Sequence, residues 1–569
     1  MKEKKKILIP LAAGLLLLGI LGGILLYRKM APNKEHMPLE RYFQAKQGEI
    51  TLIVGDEISE SKGIYQDNQL YLDLDLVKEK FNDRFYWDRK ENLLLYAMPN
   101  AVLRTEPGSK DYLENNSRTT LEYEIVKVDG DKVYVAADYV KRHTALEYKM
   151  EKAPVRAVLT YEFGGIEKEY AKTDSECKLR VRGSIKSEIL VDLKEDAVLR
   201  VLERKNEDTG FCRVMEPSGV IGYVKAKDMG KIYKESKKTD FQEAEYSHIL
   251  RKEKISLVWH QVTNQAANGR LLELLDKTKG VNVVCPTWFA TSDNRGAIDS
   301  LASDNYVSQA HRAGVEVWGL CNDFSPNMKI GKVLESTSRR QKLAKNLIAE
   351  AIRYSLDGIN IDFENVKKDS GEDFVQFIRE LGVLCRNNGI VLSVDNYPPM
   401  EYNKYYNREE QANVADYVIT MAYDEFYSGS EEAGPVSSLG YVQTATKKII
   451  EEEAVPAKQA IIALPFYSRH WMERTSKGES KLSSEACSME YAEELVQESG
   501  SGKNWDEETQ MNYISWTAAK TLHKLWIEDG ASLELKLKAA SDADVAGVAF
   551  WKLGLEKQDI WDTIIKYTK

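Results

Sequence analysis

Cysteine is scarce in this sequence, and its spacing excludes two common uses of the residue. The six cysteines are scattered without the C-x-x-C spacing of a zinc knuckle, and they are too few for a disulfide-dense scaffold. We therefore expect free and mostly buried thiols. Cys177 and Cys212 are the one pair that lies close enough in the chain, within one small predicted domain, to consider a bridge.

A basic surface is missing as well. The formal net charge is −10, and no stripe of lysine and arginine is present to displace the counterions of nucleic-acid phosphates. This argues against nucleic acid as a partner. The 569 residues are 43% hydrophobic and 30% charged, which is typical of a globular chain with two to four domains.

Metal ligands are also missing from the predicted strand ends. Acidic residues there, such as Asp323, have no histidine beside them at metal-ligand spacing, so we expect no metal site. His260 and His470 lie near strand ends, and we interpret them as hydrogen-bonding residues of the rim.

One long hydrophobic run stands at the N-terminus. Residues 7–27 are uncharged and long enough to cross roughly 30 Å of hydrocarbon as a helix, and lysines precede them. No A-x-A cleavage site follows. We predict an uncleaved single-pass anchor within residues 1–34, with a cleaved signal or a buried soluble helix as alternatives. The basic residues on the N-terminal side place the rest of the chain outside the cell membrane, on the cell-wall side.

Residues 45–165 contain a weak internal repeat. "LYLDLDLVK" from Leu70 matches "VYVAADYVK" from Val133, and each copy predicts a short strand, a helix and a hairpin. The two α+β units resemble the repeats in the N-terminal stalk-like domain of copper amine oxidases. They contain no cluster of ligand residues, so we interpret them as a spacer or an adhesion module that faces the wall.

Residues 170–232 predict a small all-β domain. Short alternating strands end in "GVIGYVKAKDM", which resembles the closing strands of a bacterial Src-homology-3-like barrel. In wall enzymes such barrels often hold peptidoglycan peptides, and that role rests on analogy alone. Packing against a neighbouring domain is an equal alternative.

Residues 250–569 alternate apolar strands with amphipathic helices, which predicts a (β/α)8 barrel. The spacing between the last two strands exceeds what one helix needs, so we expect an inserted hairpin or small α+β lobe there. The eight predicted strands are "ISLVW", "VNVVCPTW", "VEVWGL", "DGINIDFE", "IVLSVDN", "YVITMAYD", "QAIIALPFY" and "VAGVAFW".

The fourth predicted strand, "DGINIDFE", carries polar residues at every second position. Because successive side chains alternate between faces, Asn360, Asp362 and Glu364 share one face, and the apolar residues between them share the other. We expect the polar row to point into the barrel toward its C-terminal mouth, where such barrels keep their active sites. Buried carboxylates are expensive, so the row indicates function.

This strand resembles the D-x-x-D-x-D-x-E signature of glycoside hydrolase family 18, the chitinase-like enzymes. Further matches are "MAYD", "LPFYSR" and Trp551 at the ends of strands six, seven and eight. The resemblance implies that Glu364 is the general acid, that Asp362 orients the 2-acetamido group of the substrate, and that Tyr423 hydrogen-bonds the acetamido carbonyl. It implies no metal or organic cofactor, and it names as supporting residues Asp357, Asn360, Met421, Asp424, Tyr467 and Trp551.

The sequence departs from the signature at Asn360, where the family commonly has an aspartate. We expect Asn360 to donate to Asp362 and Asp362 to titrate with less coupling to a neighbour. The form "GINIDFE" resembles the branch of spore-forming, Gram-positive bacteria that acts on spore-cortex or wall peptidoglycan. Trp288 and Tyr397, near strand ends, suggest stacking subsites for sugar rings.

Three functions remain after this comparison. We favour retaining cleavage of β-linked N-acetylglucosamine glycans, at the linkage from N-acetylglucosamine to N-acetylmuramic acid in peptidoglycan. A chitinase or chito-oligosaccharide hydrolase is the first alternative. A catalytically silent glycan-binding surface protein is the second, but silenced family members typically lose the acid at the position of Glu364.

Overall fold

The computed structural model describes residues 16, 17, 20, 21, 23, 29–44, 48–115, 117–476 and 479–569. These form two compact units, one of residues 1–85, 105–112 and 118–243 and one of residues 86–104, 113–117 and 244–569. Most of the predicted anchor, residues 7–27, lies outside the described residues. In the part that is described, no helix combines the length and the apolar composition of a membrane span.

The first unit contains the two predicted repeats. The strands Gln69–Asp73 and Lys132–Ala136 pair antiparallel, so that the two copies meet along one ladder. Each is followed by a short helix, Leu74–Lys80 or Ala137–Lys141, as the repeat predicted. Their seven-stranded sheet also holds Ile50–Val54, Glu57–Gln66, Val126–Asp129, Glu147–Lys152 and Val155–Thr160, and the helix Leu39–Phe43 precedes it.

Five further strands form a sheet of their own, in which Phe85–Asp88 and Leu93–Ala97 are the predicted hairpin of the first copy; the others are Val102–Thr105, Asp111–Glu114 and Ser117–Thr120. Residues 86–104 and 113–117 group with the second unit, which the repeat did not predict.

A second seven-stranded sheet of the first unit is antiparallel and spans the predicted all-β segment. Its inward side chains, among them Leu179, Leu199, Val214 and Val224, form a separate core. Cys177 and Cys212 are buried there as free thiols, and the other four cysteines are also free and buried. The strands are Lys168–Lys172, Cys177–Arg180, Ile189–Leu193, Val198–Glu203, Phe211–Met215, Ile221–Lys225 and Tyr233–Glu235, with a 3-10 turn at Ala226–Asp228.

The second unit is built on a closed barrel of eight parallel strands, which confirms the predicted fold. Neighbouring strands pair in sequence order, and the second and third strands also pair. In chain order they are β1 (Ile255–His260), β2 (Val283–Pro286), β3 (Glu316–Asn322), β4 (Gly358–Asp362), β5 (Val391–Asn396), β6 (Tyr417–Met421), β7 (Ala460–Pro465) and β8 (Gly547–Trp551).

Helices surround the barrel because each strand buries one face outward. Ile359, Ile361 and Phe363 of the β4 segment belong to the apolar layer between strands and helices. The helices are Leu271–Leu275, Asp304–Arg312, Ile330–Leu334, Thr337–Tyr354, Gly371–Asn388, Arg408–Val414, Leu439–Lys447, Gly530–Asp542 and Trp561–Thr568. Short strands Phe289–Thr291 and Ile298–Ser300, 3-10 turns Gln265–Arg270, Lys368–Ser370, Glu401–Tyr406, Ala457–Gln459 and Gln558–Ile560, and a π turn Lys448–Glu452 fill the connections.

A small α+β lobe interrupts the connection between β7 and β8, as the spacing predicted. Its strands form one antiparallel sheet, and the helix Met489–Ser499 packs against them. The strands are Tyr467–Ser476, Glu479–Ser488, Asn504–Asp506, Met511–Ala518 and Thr521–Ile527.

Candidate active site

The polar row of β4 points into the barrel, as its period of two predicted. Asn360 is fully buried and contacts side chains of β1, β2 and β5 across the barrel interior. Asp362 is 6% exposed. Glu364 follows the strand at its C-terminal end and stays partly exposed, so a ligand at the mouth is able to reach it.

Glu364 has the surroundings of a carboxyl that keeps its proton. Burial is the largest cause that raises its pKa, and the charges of Asp323 and Asp424 raise the pKa further. Tyr397 donates a hydrogen bond from its hydroxyl to Oε2 of Glu364, which acts in the opposite direction on the pKa. The hydrogen bond also fixes the orientation of the carboxyl.

The backbone of Glu364 is held by Asp323, which follows β3. The amide N–H of Glu364 donates to Oδ1 of Asp323 at 3.1 Å, and the N–H of Asn365 donates to Oδ2 at 2.9 Å. Asp323 therefore positions the acid. In the described residues no group of three or more His, Cys, Asp or Glu side chains is arranged to hold a metal ion.

Asp362 lies among other acids. Burial raises its pKa well above the ordinary value, and the charges of Asp395, Glu364 and Asp323 add to the increase. Its Oδ1 atom is buried and has no hydrogen-bond partner among the described residues. Asp362 thus has one buried oxygen whose hydrogen-bonding capacity the described residues leave unused.

The predicted partner of Asn360 was wrong. Its Nδ2 donates to Oδ1 of Asp395 at 2.9 Å and to Oγ of Ser393 at 2.9 Å, both on β5, and not to Asp362. The prediction of weaker coupling for Asp362 was wrong for the same reason, because Asp395 supplies a second carboxyl beside it. The reasoning used β4 alone and did not consider what β5 places next to it.

Residues of the "MAYD" and "LPFYSR" matches meet at the same mouth. Tyr423 follows β6, and its pKa is raised by burial first and then by Tyr467, Asp362, Asp395 and Glu364. The hydroxyl of Tyr467 donates to Oδ1 of Asp424 at 2.6 Å, and its ring lies edge-on to Tyr423 with centroids 6.4 Å apart. Met421 is buried at the end of β6.

Trp551 ends β8 and remains partly exposed at the mouth. Its ring centroid lies 6.0 Å from that of Trp259 on β1, and the peptide bond after Trp551 is cis. Trp259 in turn donates to Oδ1 of Asn360 at 3.2 Å. The tryptophan of β8 therefore lies over the same interior cluster as the polar row.

Two predicted site residues lie elsewhere. Asp357 precedes β4 at the other end of the barrel, where its Oδ2 accepts from the backbone N–H of Val317 and is bonded to Nε2 of His311, both at 2.8 Å. Asp357 and Asp362 are also an odd number of residues apart, so their side chains do not share a face of the strand. Trp288 is 2% exposed and packs edge-on against Tyr306 in the outer apolar layer, so it offers no stacking face.

The histidines near strand ends form hydrogen bonds, as predicted. His260 at the end of β1 is bonded through Nδ1 to the hydroxyl of Tyr306 at 2.9 Å, and burial lowers its pKa to about 4. His470 lies in the inserted lobe, where its Nε2 is bonded to Nδ1 of His523 at 2.8 Å.

The sequence analysis missed several residues around the mouth. Asp395 and the bond from Tyr397 to Glu364 follow from the period of two on β5, which was not applied there. Phe324, Tyr402 and Tyr427 lie after β3, β5 and β6 and are 51%, 74% and 54% exposed. Large exposed aromatic residues at the C-terminal ends of barrel strands are suited to stack on a ligand.

Comparison with known families matches two parts of the chain. Residues 325–556 match Glycosyl hydrolases family 18, and residues 53–155 match the Copper amine oxidase N-terminal domain. These matches confirm two of the predicted resemblances, to family 18 and to the copper amine oxidase repeats. The matched family segment contains β4 to β8 of the barrel.

Curated relatives match part of the chain. One is the cortical fragment-lytic enzyme of Bacillus subtilis (strain 168), 24% identical over 241 residues, which cover 41% of this chain and 55% of the relative. Another is the uncharacterized glycosylase YvbX of the same organism, 22% identical over 304 residues, which cover 51% of this chain and 85% of the relative. The chain thus spans little more than half of the first relative.

A solved structure shares the barrel fold. The C-terminal domain of a provisionally assigned chitinase from Desulfitobacterium hafniense DCB-2 superimposes with a TM-score of 0.51 at 19% identity, over 56% of this chain and 100% of that domain. At this identity the likeness concerns the fold.

Proposed function

We propose that this chain, whose residues 325–556 match Glycosyl hydrolases family 18, is a retaining glycoside hydrolase of β-linked N-acetylglucosamine glycans. One observation carries the proposal. A partly exposed carboxyl with a raised pKa, Glu364, stands at the barrel mouth beside the buried acid Asp362 and the side chain of Tyr423. This combination suits a reaction that needs one proton donor and stabilisation of a positively charged sugar.

Glu364 is the general acid of this proposal. A general acid must hold a proton near the working pH, and the burial of Glu364 raises its pKa in that direction. The proton passes from Glu364 to the glycosidic oxygen as the bond between that oxygen and the anomeric carbon breaks. Tyr397 keeps the carboxyl turned toward the mouth.

The nucleophile comes from the substrate. The carbonyl oxygen of the 2-acetamido group attacks the anomeric carbon and gives an oxazolinium ion, an exception to the scheme with two protein carboxylates. Asp362 accepts the acetamido N–H, and the hydroxyl of Tyr423 donates to the acetamido oxygen. A water molecule then gives a proton to the carboxylate of Glu364 and attacks the anomeric carbon from the face that the leaving group left. The oxazolinium ring opens, and the configuration at the anomeric carbon is retained.

The charges at the mouth favour this intermediate. Asp395, Glu364 and Asp323 act on Asp362, and no cation is among the described groups that shift the pKa of Asp362 or of Glu364. A carboxylate in this group stabilises the positive charge that develops on the sugar.

We favour peptidoglycan as the substrate, cleaved after N-acetylglucosamine. Only glycans with the N-acetyl group carry the internal nucleophile, and a relative of this chain bears the name cortical fragment-lytic enzyme. Phe324, Tyr402 and Tyr427 are exposed around the mouth and provide faces for sugar rings. Chitin-type oligosaccharides have the same reacting group and are the second candidate.

The location of the enzyme is part of the proposal. The lysines before residues 7–27 and the length of that apolar run support a single-pass anchor with the barrel on the wall side. Residues 170–232 are then a Src-homology-3-like domain for wall peptides, and the repeats are a spacer. Protease treatment of intact cells tests this orientation, since it must remove the C-terminal region.

The experiment is a digest of purified peptidoglycan and of chitin oligomers by the full chain. New reducing ends are identified by mass spectrometry for the wild type, for Glu364→Gln, and for Glu273→Gln as a matched control. Glu273 is 58% exposed on an outer helix and forms a surface ion pair with Arg270.

We expect wild type and Glu273→Gln to release the same products and Glu364→Gln to release almost none. Products from peptidoglycan in excess of those from chitin support the favoured substrate, and the reverse supports the chitinase. Equal product from all three proteins refutes the assignment of the acid. Binding of glycan without product from any of them indicates the silent glycan-binding protein.

A further inference from the structure

Strands β4 and β5 place two carboxyl groups side by side. The strands are parallel neighbours in which Asn360 is opposite Ser393 and Ile361 is opposite Val394. One residue further along, Asp362 is therefore opposite Asp395. Asn360 and Ser393 are hydrogen-bonded inside the barrel, and residues two positions on share their face. Both carboxyls thus point inward, on backbones about 4.8 Å apart.

Both groups are withdrawn from water. Asp362 is 6% exposed and Asp395 is 3% exposed. Two adjacent carboxylates in such a place do not both ionise readily, since each charge opposes the other.

The groups that face this pair are acids, thiols and two phenols, one of which is Tyr397 after β5, whose pKa is raised in part by Asp362. Glu364 and Asp323 act on Asp362, and Glu364 acts on Asp395. From the other strands, Cys285 of β2, Cys321 of β3 and Tyr423 after β6 face one or both acids. No cation is among the described groups that shift either pKa, so the pair is neutralised by binding a proton.

Asn360 makes the two acids unequal. Its carbonyl oxygen accepts from Nε1 of Trp259 at 3.2 Å, which fixes the orientation of the amide and leaves Nδ2 as the donor to Asp395 at 2.9 Å. This hydrogen bond favours the charged form of Asp395. Oδ1 of Asp362 has no such donor among the described residues. Before substrate binds, Asp395 is therefore the ionised carboxylate and Asp362 is the protonated carboxyl.

We propose that Asp395 is a positioning residue that shares one proton with Asp362 and returns to the site the carboxyl that position 360 lacks. When the acetamido N–H of the substrate arrives, the proton moves from the Asp362 carboxyl to the Asp395 carboxylate. Asp362 becomes the carboxylate that accepts the N–H, and Asp395 becomes neutral. The number of protons and the net charge of the pair stay constant. The role of the acetamido group in this inference rests on the proposed function. The sharing of one proton between Asp362 and Asp395 does not depend on that function.

The first test counts the proton without using activity. The carbonyl-stretch band of protonated carboxylic acids is followed by infrared difference spectroscopy against pH, with Glu364→Gln as the background so that the general acid does not contribute. In this background Asp395→Asn removes a unit charge beside Asp362. We expect the midpoint at which the band disappears to fall by about two pH units.

A variant with the two side chains exchanged is the matched control. Asn360→Asp with Asp395→Asn keeps one amide, one carboxyl and their hydrogen bond, and it again places a second acid in the interior next to Asp362. We expect its midpoint to lie within about one pH unit of the parent. An unchanged midpoint in Asp395→Asn, or an exchanged variant that titrates like Asp395→Asn, overturns the shared proton.

The second test uses the reaction in the protein with Glu364 intact. We expect Asp395→Asn to lose about 10- to 100-fold in kcat with little change in KM, and the exchanged variant to recover most of the loss. A full rate in Asp395→Asn overturns the positioning role. A wild type that cleaves none of the glycans refutes the proposed function instead, and the infrared midpoints still decide whether the proton is shared.

Discussion

Two groups of buried acids in the barrel unit differ in what lies opposite them. At the mouth, Asp362 and Asp395 face other acids, and no cation of the described residues is among the groups that shift their pKa values. On the outside of the barrel, the fully buried Arg340 donates to Glu380 at 3.0 Å and lies 3.9 Å from Asp88. Burial raises the pKa of Glu380 as well, but there Arg340 acts against the increase.

The outer arrangement recurs in the same unit. Arg379 is paired with Glu410 at 2.7 Å, and Lys536 is paired with Glu528 where both side chains are fully buried. Asp88 also accepts from the backbone N–H of Thr337, which begins a helix of the barrel. The outer acids are each held by a buried cation and are part of the structure, whereas Asp362 and Asp395 lack a described cation, which marks them as candidates for a reaction.

The largest expected effect separates the two groups by activity. Glu364→Gln is expected to lose about 10²- to 10⁴-fold in kcat, because the glycosidic oxygen no longer receives a proton. The free energy of unfolding should not decrease, since burial and the neighbouring acids disfavour the charged form of Glu364 in the folded protein. Initial rates and a denaturation curve on one preparation check both parts. A rate within a factor of two of the wild type would remove Glu364 from the mechanism.

The next effect concerns the outer group of acids, where a substitution is expected to lower stability. Arg340→Met leaves Glu380 and Asp88 buried without their cation and should lower the free energy of unfolding by about 3–5 kcal/mol. Arg353→Met, on the same helix but 68% exposed in its ion pair with Glu350, is the control and should change it by less than about 0.5 kcal/mol. Urea denaturation measures the difference, and equal losses in both variants would contradict the comparison.

A smaller effect concerns the pH profile. The hydrogen bond from Tyr397 lowers the pKa of Glu364, so Tyr397→Phe should raise that pKa. Because the general acid works in its protonated form, the alkaline limb of kcat/KM should move to higher pH by about one unit. A profile measured from acid to alkaline pH decides this, and a shift to lower pH would show that Tyr397 acts on another group.

The smallest effect is a gain in stability at the mouth. The pKa of Asp362 is raised on folding, so the folded protein loses stability as the pH rises from about 3.9 through the raised value. Asp362→Asn removes this loss. It should melt about 2–4 °C higher than the wild type at neutral pH for each kcal/mol relieved, with no gain near pH 4. Melting curves at the two pH values test the sign, and a lower melting temperature at neutral pH would contradict it.

The sequence predicted the features that depend on the alternation of side chains along one strand. It did not predict the contacts that depend on which strands are neighbours. Alternation along β4 predicted that Asn360, Asp362 and Glu364 share the inner face of the strand. The three side chains do point into the barrel, toward its mouth. Asp357 was assigned from the family signature against that same period, and it lies at the opposite end of the barrel. The pairing of Asn360 with Asp395 depends on which strand lies beside β4, which a single strand does not reveal.

The outer ion pairs illustrate the same limit. Arg340 and Asp88 are 252 positions apart in the sequence numbering, and neither stands in a pattern that marks a buried charge. Eight strands and the inserted lobe followed from apolar runs and their spacing, because those signals lie within a few residues. Contacts between distant segments required the structure.

The central claim is that the sugar supplies the nucleophile while one carboxyl at the barrel mouth supplies the proton. The most direct measurement compares the cleavage rates of glycan strands from peptidoglycan before and after the acetyl groups of their glucosamine units are removed. The account predicts cleavage of the acetylated strands and no detectable cleavage of the deacetylated strands by the wild type. Equal rates on both substrates would contradict it.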